Sequence, residues 1–319
     1  MNEWLSLTLG LIALYFGAEA LVKGGASLAL RLGLTPLVIG LTVIAFGTSS
    51  PEMVVSVQAT LGGNGAISIG NVVGSNICNI ALILGLCALI SPLHADCQVI
   101  RREVPIMIVA TVLTLLVLAD GYVARWEGAI LFLTLIAYTA ITVRQARAAT
   151  AAATRGADFA DELGQGKSLA LGLSIVAVLG GLAVLIIGSH LFVSGAVSLA
   201  ASWGMSQLAI GLTIVALGTS LPELATSLVA ALKRQADVAV GNIVGSNLFN
   251  LLGILGVAAL VQPINAPELA WLDLGVMLLV SVALLPIVRS GGRISRLEGA
   301  ALLAVYLGYT AWLISPSGA

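Results

Sequence analysis

The chain has 319 residues, 59% of them hydrophobic and 9% charged, with a mean hydropathy of +1.09. Soluble domains carry roughly 25% charged residues, so this composition excludes a soluble globular domain and describes a protein embedded in lipid. A net charge of -1 excludes a nucleic-acid-binding surface, and the three cysteines (Cys78, Cys87, Cys97) and two histidines (His94, His190) show neither metal-ligand spacing nor a disulfide framework.

Taken in order, the chain offers ten apolar runs suited to helices crossing a ~30 Å hydrocarbon core: near 4–30, 36–61, 66–90, 103–119, 126–143, 169–190, 207–232, 237–261, 269–288 and 297–315. The first lacks a basic leader and reads as a transmembrane helix rather than a cleaved signal. It contains Glu19, which the repeat register described below sets against His190; an access path and a helix-end or pairing role are equally compatible with that placement. The one polar break, RQARAATAAATRGADFADELGQGK around 144–167, divides the runs into two sets of five. The expected organisation is therefore a single transmembrane domain with a first five-helix unit at 1–143, a linker at 144–168 and a second unit at 169–319.

The two sets are copies. Aligned without a gap at an offset of 171, positions 40–93 and 211–264 are identical at 25 of 54 places. The register continues outside that block, pairing Gly17 with Gly188, Gly24 with Gly195 and Arg125-x-Glu127-Gly128 with Arg296-x-Glu298-Gly299. With the amino terminus outside, inside-facing ends carry Arg31, Arg101, Arg102, Arg144, Arg147, Arg155, Lys167, Lys233, Arg234, Arg289, Arg293 and Arg296, and outside-facing ends carry only Arg125. The positive-inside rule thus places both termini outside and the linker in the cytoplasm. Five helices separate the copies, so the second enters the membrane from the opposite side. The fold class expected is an all-α integral membrane protein of ten transmembrane helices in two inverted-topology repeats, an arrangement that sets a transporter's site near the bilayer midplane on broken helices.

Gly47-Thr48-Ser49-Ser50-Pro51-Glu52 and its copy Gly218-Thr219-Ser220-Leu221-Pro222-Glu223 sit within such runs. Proline in a helix removes one hydrogen bond and displaces the carbonyl four residues back, here Gly47 or Gly218. Freed carbonyls beside hydroxyls and a carboxylate are tolerated at membrane depth only where they meet a polar partner or line a cavity. A carboxylate at the membrane centre costs at least ~2.5–3.5 kcal/mol and marks function by default. Two of them ~5 Å apart repel by about 3 kcal/mol at an effective dielectric near 20, a sign that a divalent cation reverses. Without a cation, at least one carboxyl is expected to hold a proton.

In the following helices, Asn71, Ser75 and Asn79 share one face at spacing i, i+4, i+8, and Asn242, Ser246 and Asn250 repeat it. Glycine packing explains Gly70 and Gly74 but not the amides, so a polar lining is expected. The candidate donors are all oxygen, which suits Ca²⁺ and Na⁺ rather than Zn²⁺ or Cu.

GTSSPE with GNVVGSNICN, and GTSLPE with GNIVGSNLFN, resemble the two alpha-repeats of the sodium/calcium exchangers, within the cation/calcium antiporter superfamily, in a prokaryotic-type member with a short linker. The resemblance implies Na⁺/Ca²⁺ exchange by alternating access in an inner membrane, with Ca²⁺ and Na⁺ as cargo, no cofactor, no enzymatic activity and no obligate protein partner. It implies Ca²⁺ ligands at Glu52 and Glu223 with the backbone of Thr48 and Thr219. Na⁺ sites would add the carbonyls of Ala45 and Ala216 with Ser49, Ser220, Ser75 and Ser246, and Asn79 and Asn250 would complete the central position. Some relatives carry Asp where Asn79 or Asn250 stands, a feature tied to potassium dependence in one branch, so two Asn imply a potassium-independent exchanger. The glycine-rich first and sixth helices are expected to form the moving gate. A Ca²⁺/H⁺ antiporter using the same glutamates is the alternative.

Overall fold

The computed structural model describes residues 2–94, 96–153, 169–203, 216–265 and 271–314. Helix α1 spans Glu3–Leu32, capped by the Asn2 side chain and closed by Gly33 in the left-handed conformation. The second run is a broken helix: α2 (Pro36–Thr48) bends by 46° into α3 (Ser50–Leu61). There follow α4 (Gly65–Ile90), α5 (Val104–Val117), α6 (Arg125–Ala153), α7 (Leu171–Ser202), α8 (Ala216–Thr219), α9 (Leu221–Leu232), α10 (Ala236–Val261), α11 (Trp271–Arg289) and α12 (Arg296–Ile314). Every apolar run meets a helix, and the residues 207–215 that open the seventh run lie outside the described residues. Two boundaries differ from expectation. Helix α6 continues to Ala153, into the stretch read as linker, where Ala- and Arg-rich sequence keeps helical hydrogen bonds favourable beyond the lipid, and α7 runs on to Ser202.

Four two-residue strands record the symmetry. Leu93 pairs with Ile294 and Val123 with Ile264. Shifting by the repeat offset exchanges one pair for the other, as a two-fold axis in the membrane plane requires for inverted repeats. Glycine contacts obey the same exchange. A Cβ on Gly17 would meet Leu185 N at 2.9 Å, and one on Gly188 would meet Leu14 N at 2.9 Å. Likewise Gly85 abuts Gly299 O at 2.9 Å and Gly256 abuts Gly128 O at 3.0 Å. Small residues thus let α1 lie backbone to backbone on α7, α4 on α12 and α10 on α6, as membrane helices do where lipid supplies no hydrophobic drive.

Helices α4 and α10 are the most enclosed of the long spans, with 72% and 89% of their apolar windows buried, and the remaining helices surround them. Both contain a stretch of wider, π-helical turns at matching places, Cys78–Leu84 and Phe249–Ile254. Such turns favour functional positions because they re-aim side chains and loosen the backbone ladder. Each begins at or next to the asparagine that the sequence singled out, Asn79 or Asn250.

Candidate ion-binding site

The α2–α3 bend falls at Ser49, and Pro51 and Pro222 occupy the first turns of α3 and α9, where a missing N–H costs least. Proline therefore ends one helix segment and starts another, and the carboxylate that follows it is carried at the start of the new segment. Glu52 and Glu223 are both 1% exposed. They turn inward, not to the acyl chains, and the structure ties each to the opposite repeat: Ser49 Oγ donates to Glu223 Oε1 at 2.7 Å, and Ser220 Oγ donates to Glu52 Oε1 at 3.2 Å.

Among the buried side-chain oxygens that find no hydrogen-bond partner among the described residues, six form three repeat-related pairs: Glu52 Oε2, Ser75 Oγ and Asn79 Oδ1 from the first repeat, and Glu223 Oε2, Ser246 Oγ and Asn250 Oδ1 from the second. Each is the repeat counterpart of another. Thr219 Oγ1 is also without a partner. Most buried polar atoms in native proteins are hydrogen-bonded, so these repeat-related unsatisfied oxygens, two of them carboxylate, fit hard cations bound by oxygen alone.

Other predicted positions are placed less directly. Thr48 Oγ1 is buried and donates to Asn242 Oδ1 at 3.2 Å, across the repeats. The Ala45 carbonyl already accepts from Ser49 N at 3.0 Å and lies 3.3 Å from Thr48 Oγ1. Ala216 is the first residue of α8, and its side chain lies outside the described residues.

Asn71 and Asn242, read from spacing as lining, act instead as braces. Asn71 Nδ2 donates to Glu52 O at 3.1 Å and Ser56 Oγ at 2.9 Å, while Asn242 Nδ2 donates to Ser227 Oγ at 3.0 Å. Ser56 and Ser227 went unnoticed in the sequence, although both repeats carry serine four residues beyond the glutamate. Asn247 was also missed; its Oδ1 accepts from Asn79 Nδ2 at 3.0 Å, a further bond across the repeats. Glu19 is not beside His190. The α1–α7 packing is antiparallel, and Glu19 instead pairs with Lys233 at the end of α9.

One feature breaks the symmetry close to the site. Ser189 Oγ donates to the Gly218 carbonyl at 2.7 Å, the group expected to be freed by Pro222. Its repeat counterpart is Ala18, which has no hydroxyl to offer Gly47. Ser189→Ala should lower stability by about 1 kcal/mol, seen as a lower melting temperature in detergent, and Ser189→Thr should restore it.

Comparison with known proteins bears on what this geometry belongs to. The model of the family described as sodium/calcium exchanger protein matches residues 2–144 and again 173–315. The chain belongs to the sodium/calcium exchanger family. CaxA of Alkalimonas amylolytica is 40% identical to it over 311 residues, covering 96% of this chain and 97% of the relative. The sodium/calcium exchanger MaX1 of Methanosarcina acetivorans is 31% identical over 339 residues, covering 96% and 97%. Among solved structures, the sodium-calcium exchanger NCX_Mj soaked with zero Na⁺ and Ca²⁺ superposes with a TM-score of 0.83 at 33% identity, over 98% of each chain. The chain is thus an integral membrane transporter of the cation/Ca²⁺ antiport class, not an enzyme, built from two inverted repeats.

Proposed function

We propose that the chain exchanges Na⁺ for Ca²⁺ by alternating access, with the ions held between Glu52 and Glu223. The observation that carries this reading is three repeat-related pairs of unpartnered buried oxygens, Glu52 with Glu223, Ser75 with Ser246 and Asn79 with Asn250. With both carboxylates ionised and no ion bound, the site holds a charge of about -2 in a water-poor interior, where several kcal/mol are lost per unpaired ion. Ca²⁺ cancels that charge with the two carboxylates at its centre. Several Na⁺ cancel it too, using Ser75, Ser246, Asn79, Asn250 and the carbonyls of Ala45 and Ala216. Only the loaded forms then cross between facing states cheaply, which couples the two ions to each other. The linker side, rich in Arg and Lys, faces the cytoplasm in this reading, and both termini lie outside.

The measurement is Ca²⁺ flux in proteoliposomes with Na⁺, K⁺ and pH gradients varied one at a time. Uptake should follow the Na⁺ gradient, persist when a protonophore clamps pH, and ignore K⁺. Uptake that follows the pH gradient and ignores Na⁺ would transfer the assignment to Ca²⁺/H⁺ exchange.

A further inference from the structure

Helices α1 and α7 are symmetric with respect to each other, yet as a pair they sit off the axis that relates the rest of the molecule. Both helix breaks are covered by α7: a Cβ on Gly47 would meet Leu182 at 2.5 Å, and one on Gly218 would meet Val193 at 2.5 Å. Exact symmetry would put an α1 residue at one of these places. Helix α1 instead lies along α9, whereas among the described residues α7 packs far less closely on α3. An apolar groove bordered by Leu14, Tyr15, Leu228 and Leu232 follows the α1–α9 seam. The Lys233–Glu19 ion pair joins the same two helices, Glu19 one turn beyond Tyr15 and Lys233 next to Leu232.

In an inverted repeat, the oppositely facing state is the one in which the halves exchange conformations. The α1–α7 pair would then be displaced the other way, with α7 along α3. The residues brought together there are the repeat counterparts of Glu19 and Lys233, namely His190 and Gly62. Glycine has no side chain to pair. The contact made in the present state therefore has no equivalent in the other, and an interaction made in only one of two states shifts the balance between them.

We propose that Glu19 and Lys233 form a state-selective latch that holds α1 against α9 and favours this facing state over its opposite. The inference rests on the alternating-access reading above but not on the identity of the driving ion. Both side chains are about one-third exposed, at 36% and 34%. A pair of that exposure is expected to change the ratio of the two states by about fivefold.

The test is pulsed electron–electron resonance on the full chain in nanodiscs, with spin labels at Leu9→Cys on α1 and Leu133→Cys on α6 in a Cys97→Ser background. Leu9 and Leu133 are exposed, and Cys78 and Cys87 are buried. Glu19→Gln and Lys233→Gln should each move population from the present distance to a second one by about fivefold, and the charge swap Glu19→Lys with Lys233→Glu should return it. Apparent ion affinity should fall on the side open in the present state and rise on the other, since affinity scales with the competent fraction. A merely structural role would change melting temperature without this opposite movement. Unchanged distances in both folded single variants, or a swap that behaves like them, would overturn the latch. Flux measured on the unlabelled protein reports separately on the exchange reading, so a chain driven by H⁺ would leave the distance result standing.

Discussion

Glu52→Gln is expected to reduce Na⁺-driven Ca²⁺ uptake by about 100-fold or more, the scale seen when one member of a buried charged set is removed. Glutamine keeps the shape and an acceptor oxygen, so Ser220 can still donate to it; what is lost is the charge at the unpartnered oxygen, Oε2. Glu223→Gln should do the same through Ser49. If the two carboxylates serve one ion, as proposed, the double variant should be scarcely worse than either single one, because their effects are then not independent. Flux and equilibrium Ca²⁺ binding by calorimetry give two independent readouts. Wild-type binding in either folded variant would remove Glu52 or Glu223 from the site.

Gly245→Ala should be nearly as damaging although it touches no ion. A Cβ there would stand 2.6 Å from Leu41 O, 2.7 Å from Leu41 Cα and 2.8 Å from Ala45 Cβ. Two of these are backbone atoms, which cannot rotate away, so α2 must retreat from α10. Gly241 sits on the same seam, its Cβ position 2.7 Å from Leu37 O. Overpacking of this kind typically costs about 1–3 kcal/mol. The larger effect is geometric, since α2 carries Ala45–Thr48 and α10 carries Ser246 and Asn250. We expect a lowered melting temperature together with Ca²⁺ affinity weakened by at least about tenfold, or 1.4 kcal/mol. Gly308→Ala is the control: a Cβ there meets nothing within 4 Å, and alanine is the better helix former.

Much of this was legible in the sequence because duplication makes small signals count twice. A single Pro-Glu in an apolar run is ambiguous, whereas the same pair at one fixed offset, flanked each time by Gly-Thr-Ser, is not. The inverted fold followed from an odd number of helices per copy, and the convergence of Glu52 on Glu223 followed from the fold. What stayed hidden depends on pairings that no offset contains. Spacing put Asn71 on the face of Ser75 and Asn79, but it could not tell a lining amide from one absorbed in bonding Glu52 O and Ser56. Glu19 was set against His190 because they correspond in the repeat. Correspondence is not contact: antiparallel packing of α1 on α7 separates such positions, and Lys233 lies 214 residues from its partner. Helix α6 outran its expected end because hydropathy measures what lipid accepts, not where helical hydrogen bonds stop.

The two serine–glutamate bonds run crosswise, Ser49 to Glu223 and Ser220 to Glu52. Neither copy therefore holds the proposed site complete, and a half expressed alone would present an acid that lacks its orienting hydroxyl and the other acid. Cut at the linker, the protein should regain ion binding only when both fragments are inserted together in opposed orientations. A substitution at Ser49, Glu52, Ser220 or Glu223 in either half is thus felt by the complementary half as well.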